Sequence, residues 1–154
     1  MKKVTLTLGQ VMDLDAELNG IKNQQTGEPV TVGILNLELD LILKYHLEKL
    51  LKQTAEQKTL VEKLREELIK KHGTQDGENW GIPLYVNEVK DDSGKIISAD
   101  MNPTYITFNE DFSKLLEQNV DIKVKELYIE DFAGLKSKDR PKVLFTLLSE
   151  EEDD

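Results

Sequence analysis

The chain has 154 residues, enough for one domain with a hydrophobic core, and 32% of them are charged. Its net charge of -10 at pH 7 argues against binding to nucleic acid or to an anionic membrane, because both attract basic surfaces. The sequence has no cysteine, which excludes disulfides, zinc–thiolate sites, iron–sulfur ligation and thiol catalysis.

The sequence predicts neither a targeting segment nor a membrane span. Residues 1–5 carry charge but are not followed by the continuous apolar stretch of a signal peptide. No segment approaches the roughly 18 uncharged apolar residues that a membrane span requires. We therefore expect the protein to act in cytoplasm or in a particle assembled there.

The N-terminal segment predicts a short strand followed by a short helix. Apolar residues alternate with polar ones at the start, as in a half-buried strand: Val4, Leu6 and Leu8. A helix is predicted over residues 9–19, with three apolar side chains on one face: Val11, Leu14 and Leu18. Gly20 is expected to end this helix, and residues 23–29 form a predicted polar loop.

A long charged helix, spanning about residues 36–72, dominates the predicted fold. The segment has no proline or glycine, and its stripe follows heptad spacing: Leu43, Leu47, Leu50, Thr54, Gln57, Val61, Leu64 and Leu68. This spacing is typical of a helix that packs one face against a partner helix. A continuous helix would be about 55 Å long at 1.5 Å per residue, so part of it is expected to project from the domain.

Two features of this helix leave alternatives open. Leucines alternate strictly from residue 35 to residue 43, which is strand spacing, so the alternative is a strand or a break before Leu41. Thr54 and Gln57 interrupt the apolar stripe and are expected to mark where it reaches solvent. The alternative is that these two polar residues fix the register or the oligomeric state.

The C-terminal half predicts a small antiparallel sheet with short helices. Residues 82–89 and 95–99 flank a turn at residues 91–94 and are predicted to form a hairpin. Capping-box spacing at residues 107–110 predicts the start of a helix that ends near Asn119. Residues 120–124 then alternate as a strand.

The remaining segment predicts a helical turn at Phe132 and Leu135 and a last short helix from Pro141 through Leu148. An acidic tail at residues 150–154 holds half of the net charge and is predicted to be disordered. The fold class is thus α+β: residues 1–149 form one domain with a projecting long helix, followed by the tail.

The sequence predicts no catalytic, cofactor-binding or metal-binding residue. His46 and His72 lie far apart on one helix, and we expect both to be solvated. The acidic pairs at residues 13 and 15 and at residues 91 and 92 fit turns and helix starts better than a metal site. The sequence contains no phosphate-binding loop, dinucleotide fingerprint or nucleophile elbow, so we predict that the protein is not an enzyme.

The order of elements and a few short strings carry a resemblance. VTLTLGQ at residues 4–10 leads into a helix, and the long helix ends in KKHG at residues 70–73. A hairpin is followed by FSKLLE at residues 112–117, VDIKV at residues 120–124 and LYIEDF at residues 127–132. This layout, over most of the chain, resembles small uncharacterised proteins encoded in tailed-bacteriophage genomes. The resemblance implies a role in the virion, in its assembly or against the host.

We predict a bacteriophage structural or assembly protein that acts by protein–protein contact through the long helix, in the virion or the host cytoplasm. Its partner would be a second copy or another phage protein, with no cofactor, no direct nucleic-acid contact and no membrane contact. The candidate interface residues are Leu43, Leu47, Leu50, Val61, Leu64, Leu68, Trp80 and Tyr85. The alternative is a small acidic phage protein that binds and inhibits or sequesters a host factor, which the acidic tail would support.

Overall fold

The computed structural model describes residues 2–23 and 25–124. The predictions for Phe132, for the helix from Pro141 and for the acidic tail lie outside the described residues. The fold is α+β, as predicted. Contacts group the chain into two compact units, Met1–Thr59 with Gln118–Asp154 and Leu60–Glu117, and each is described by itself. The single-domain prediction stays a prediction.

All strand pairs in the described ranges are two-stranded and antiparallel. The elements in chain order are β1 (Lys2–Thr7), α1 (Leu8–Asn19), β2 (Gly20–Lys22), β3 (Pro29–Val32), a 3-10 turn (Ile34–Asn36), α2 (Leu41–His72), β4 (Thr74–Asp76), β5 (Asn79–Gly81), β6 (Tyr85–Lys90), β7 (Ile96–Met101), α3 (Pro103–Leu116) and β8 (Asn119–Val124). β1 pairs with β8, and the other strands pair with their neighbours in sequence. Among these described elements, no helix is both long enough and apolar enough to cross a membrane.

A capping box starts α1 directly after β1. The Thr7 hydroxyl accepts from the Gln10 N–H at 3.1 Å, and the Gln10 side chain accepts from the Thr7 N–H at 3.0 Å. Two N–H groups that the helix itself leaves unpaired are thereby satisfied. The predicted strand and helix are both confirmed, and Gly20 ends the helix with a φ of 82°.

The core of the first unit lies between α1, the β1–β8 pair and one face of α2. Val11, Leu14 and Leu18 of α1 are fully buried, as the predicted apolar face requires. The remaining buried members of the cluster are Leu6, Ile34, Leu35, Leu43, Leu47, Leu50, Ile122 and Val124. A core of this kind is stabilised mainly by the apolar surface that it removes from water.

The long helix starts at Leu41 rather than near residue 36. The Asp40 carboxylate accepts from the Ile42 N–H at 3.2 Å, and the Asp40 carbonyl accepts from the Lys44 N–H, so Asp40 caps the helix. The preceding leucines form a 3-10 turn and an irregular segment, with Leu35 buried and Leu37 and Leu39 packed against the core. The break before Leu41, which was the alternative interpretation of the leucine alternation, is therefore what occurs.

β8 is held on both of its sides at Lys123. On one side Lys123 pairs with Lys3 of β1. On the other, the Gln53 side-chain amide donates to the Lys123 carbonyl at 2.7 Å and accepts from the Lys123 N–H at 2.9 Å. A side chain of α2 thus forms the two hydrogen bonds that a third strand would form at this position.

The β1–β8 pair also carries a titrating contact with a pH-dependent consequence. The Thr5 hydroxyl donates to Asp121 at 2.7 Å and the Lys3 ammonium lies 3.1 Å away, and together they lower the pKa of Asp121 below its ordinary value of 3.8. Because the folded-state pKa is lowered, this stabilisation is present above pH 3.8 and is lost as the pH falls through the folded-state pKa.

We therefore expect Asp121→Asn to lower the melting temperature slightly above about pH 5, with the difference from the parent protein disappearing as the pH falls through the folded-state pKa. Thermal melts at a series of pH values from about pH 5 downward measure it. The effect is small because both partners are exposed. A difference that is constant with pH, or that grows in acid, would contradict a role for the Asp121 charge.

The second unit contains the end of α2, the two hairpins and α3. The predicted hairpin is confirmed as β6–β7, and its turn is closed by Asp91, whose carboxylate accepts from the Ser93 hydroxyl and the Lys95 N–H. These hydrogen bonds lower the pKa of Asp91.

The helix predicted from residue 107 begins earlier, at Pro103, because the Asn102 side chain caps it and proline fits its first turn. It also ends earlier, at Leu116 rather than near Asn119, and the strand predicted at residues 120–124 is confirmed as β8.

Candidate interaction surface

The first part of the predicted stripe lies inside the chain's own core. Leu43, Leu47 and Leu50 are buried against α1, β1 and β8, and Val61, which belongs to the second unit, is also buried. These four side chains are therefore not surface that a partner could contact, which corrects their assignment as interface residues. The heptad spacing identified a buried face correctly, but this face is covered by other elements of the same chain.

The other four predicted interface residues keep part of their surface in solvent. Leu64 and Leu68, further along α2, are half-buried. Trp80 on β5 and Tyr85 on β6 are exposed, with 40% and 49% of their surface accessible. Trp80, which more commonly packs into the core in a small domain, is thus at the surface here.

The polar interruption of the stripe at Thr54 is buried, not a point where the stripe reaches solvent. The Thr54 hydroxyl lies 3.0 Å from an oxygen of Asp15 on α1 and 3.0 Å from the Leu51 carbonyl. Asp15 is 1% exposed, and its second oxygen lies 3.5 Å from the Lys58 ammonium. A buried carboxylate needs such partners, because an unpaired one costs several kcal/mol. This cluster joins α1 to α2 through two side-chain contacts, Thr54 to Asp15 and Lys58 to Asp15.

The exposed surface of α2 in the first unit lies opposite the core. Leu41 and Tyr45 are each two residues from Leu43, which at 3.6 residues per turn directs them about 160° away from it. Leu41 is 79% exposed, Ile42 66% and Tyr45 56%. These three side chains, which we call the α2 patch, are neighbours at spacings of three and four residues. Large apolar side chains grouped in solvent are the feature that marks interaction sites on soluble proteins.

Charged side chains surround the α2 patch. A shallow open depression is lined by Leu41, Ile42 and Tyr45 together with Lys44 and Glu48. The Lys49 ammonium lies 5.1 Å from the centre of the Tyr45 ring, within the range of a cation–π contact. An apolar centre with a charged margin is the composition of a protein-contact surface rather than of an enclosed small-molecule site.

In the part of the chain that the structure describes, no cluster of three or more histidine, aspartate or glutamate side chains occurs that could hold a metal ion. The His72 Nε2 atom lies 3.4 Å from an Asp111 oxygen, and only 18% of the His72 side chain is exposed. The prediction that both histidines are solvated is therefore wrong for His72, which packs against α3 within the second unit.

Sequence reasoning did not identify the α2 patch or the burial of Asp15. A signal for the patch existed, since residues 41–45 are apolar on both sides of the helix, but this pattern does not show which side is covered.

Comparison of the whole chain with family models, curated proteins and solved structures finds no match.

Proposed function

We propose that this protein is a structural or assembly protein of a bacteriophage particle that acts by protein–protein contact through the exposed face of α2. The observation that carries the proposal is the α2 patch, Leu41, Ile42 and Tyr45, each more than half exposed. The phage setting rests on the resemblance of the sequence layout. The partner is a protein of the particle or a second copy, and the place of action is the virion or the host cytoplasm.

The patch is suited to contact because its position is fixed before a partner arrives. The buried face of the same helix turn, Leu43 and Leu47, anchors α2 in the core, and Asp40 caps its first turn. The patch side chains therefore project from ordered backbone, which lowers the conformational entropy lost on binding. Burying Leu41 and Ile42 alone would contribute about 3 kcal/mol from their apolar surface.

The test replaces two residues of the α2 patch with glutamate, a change that does not destabilise the helix. Leu41→Glu with Ile42→Glu puts two carboxylates in the first turn of α2, where negative charge favours the helix dipole. We expect this variant to lose association with phage particles or assembly intermediates by at least about a hundredfold, because about 3 kcal/mol of apolar contact is removed. Mass spectrometry of purified particles and gradient fractions measures it.

The matched control is Thr59→Glu with Leu60→Glu, which adds the same charge to exposed positions of the same helix. It should associate as the parent chain does. If the two double variants behave alike, the α2 patch is not the contact site. A parent chain that is monomeric, and absent from both virions and assembly intermediates, would contradict the proposed function. A host growth defect caused by expression of the chain alone would favour host-factor inhibition instead.

A further inference from the structure

The β6–β7 hairpin leaves a strand edge unpaired. In residues 2–23 and 25–124, β6 pairs with β7 and with no other strand, so its outer edge, the side away from β7, has no strand beside it. Apolar side chains about half exposed or more lie on both strands of the hairpin: Tyr85 and Val89 on β6, and Ile96, Ile97 and Met101 on β7. A two-stranded hairpin is marginally stable in water, and unpaired edges are the places where proteins add further strands.

The hydrogen bonds of the hairpin determine which backbone groups face outward. The Asp91 N–H donates to the Lys95 carbonyl, so the backbone groups of the preceding residue, Lys90, point away from β7. The hairpin has two register shifts. Between Val89 and Lys90, β6 advances by one residue and β7 by two, so the extra residue there lies in β7. Between Val86 and Val89, β6 advances by three residues and β7 by two, so β6 has one extra residue there. We assign the extra residue to Asn87, whose φ of 55° is the left-handed conformation found in bulges. With this assignment Glu88, two residues before Lys90, also presents its N–H and carbonyl to the outer edge.

We propose that the outer edge of β6 binds β6 of a second copy of this chain, antiparallel and centred on Val89. The argument is charge complementarity. In this register Glu88 of each copy lies opposite Lys90 of the other, so two opposite-charge pairs form. A shift by one residue, to a centre at Glu88 or at Lys90, would place like charges opposite each other. Of the three possible centres, Glu88, Val89 and Lys90, only Val89 makes the sequence Glu-Val-Lys at residues 88–90 self-complementary in charge.

The same register joins the exposed apolar side chains. Val89, which is half exposed, meets Val89 of the second copy at the two-fold axis. The two hairpins become one four-stranded antiparallel sheet, which stabilises strands that are marginal as a pair. This surface lies in the second unit and does not involve the α2 patch, so the inference goes beyond the proposed function.

A single cysteine tests the centre of the register. Opposed residues of this type in an antiparallel pair have Cα atoms about 4.5 Å apart, within the roughly 4.4–6.8 Å that a disulfide requires. The chain has no other cysteine. With oxidised glutathione as the oxidant, we expect Val89→Cys to form a covalent dimer well before the control Ile97→Cys, which is at least as exposed. Equal rates would overturn the proposed register.

Charge exchange tests the pairing without any cross-link. In Glu88→Lys, a lysine at position 88 of each copy faces Lys90 of the other copy. Both pairs become repulsive, so dimerisation should weaken by about tenfold. Sedimentation velocity measures this change. Adding Lys90→Glu restores opposite charges and should restore dimerisation. Glu78→Lys, with the same charge change in an exposed turn, should dimerise as the parent does. Failure of the double variant to recover, or a parent that is monomeric at high concentration, would overturn the inference.

The two sets of variants distinguish this inference from the proposed function. A failure confined to the β6 variants leaves particle binding through the α2 patch intact. Loss of particle binding in Leu41→Glu with Ile42→Glu leaves the Val89→Cys cross-link unchanged.

Discussion

Replacing Leu47 with alanine is expected to lower the free energy of unfolding by about 3 kcal/mol. Leu47 is fully buried in the middle of the core of the first unit, where α2 packs against α1 and the β1–β8 pair. The loss combines the transfer free energy of the deleted methyl groups with the cavity that remains. Urea denaturation followed by circular dichroism measures the change.

The control for this prediction is on the opposite face of the same helix. Leu41→Ala makes the same chemical change at a residue that is 79% exposed, and it should alter stability by less than about 0.5 kcal/mol. Equal losses in the two variants would show that the core does not lie on the Leu47 face. Since Leu41 belongs to the α2 patch, the comparison also separates stability from partner binding.

Replacing Thr54 with valine is expected to cost about 2 kcal/mol of stability, although valine has nearly the same shape. The variant removes the hydroxyl that lies 3.0 Å from the buried Asp15 carboxylate. The Asp15 carboxylate then keeps the partly exposed Lys58 as its charged partner. Burying a charge with fewer hydrogen bonds raises the free energy of the folded state. Chemical denaturation at neutral pH measures the loss.

Thr59→Val is the matched control, because the Thr59 hydroxyl donates to the Ala55 carbonyl on an exposed turn of the same helix. It should change stability by less than about 0.5 kcal/mol. A double-mutant cycle with Asp15→Leu should show that the two core substitutions together cost less than their sum, since the buried charge is gone. Strict additivity would mean that Thr54 and Asp15 do not interact.

The sequence predicts the helices and strands well where one local signal dominates. The alternation from Val4, the hairpin turn at residues 91–94 and the long proline-free stretch all correspond to observed elements. Two helix starts were misplaced although cap residues were present, Asp40 before α2 and Asn102 with Pro103 before α3. In both cases a capping side chain decided the boundary over the apolar pattern.

The candidate site was less predictable because its definition depends on what covers each face. A heptad stripe indicates that Leu43, Leu47 and Leu50 must be buried, but not whether a second copy or the same chain buries them. Only the placement of α1 and β8 shows that these positions are occupied and that the Leu41 side is open. The Asp15–Thr54 contact joins positions 39 residues apart, for which no local pattern exists.

The Gln53 side chain limits the addition of a further strand to β8. An unpaired strand can template further copies without limit, as in a growing fibril. At Lys123 the Gln53 amide occupies both backbone groups that an incoming strand would need, so growth from β8 is blocked there. At β6 no side chain does this among the described residues, and a two-fold pairing consumes that edge in both copies at once. The β8 edge is thus closed at Lys123 by the chain itself, and the β6 edge would be closed by a second copy.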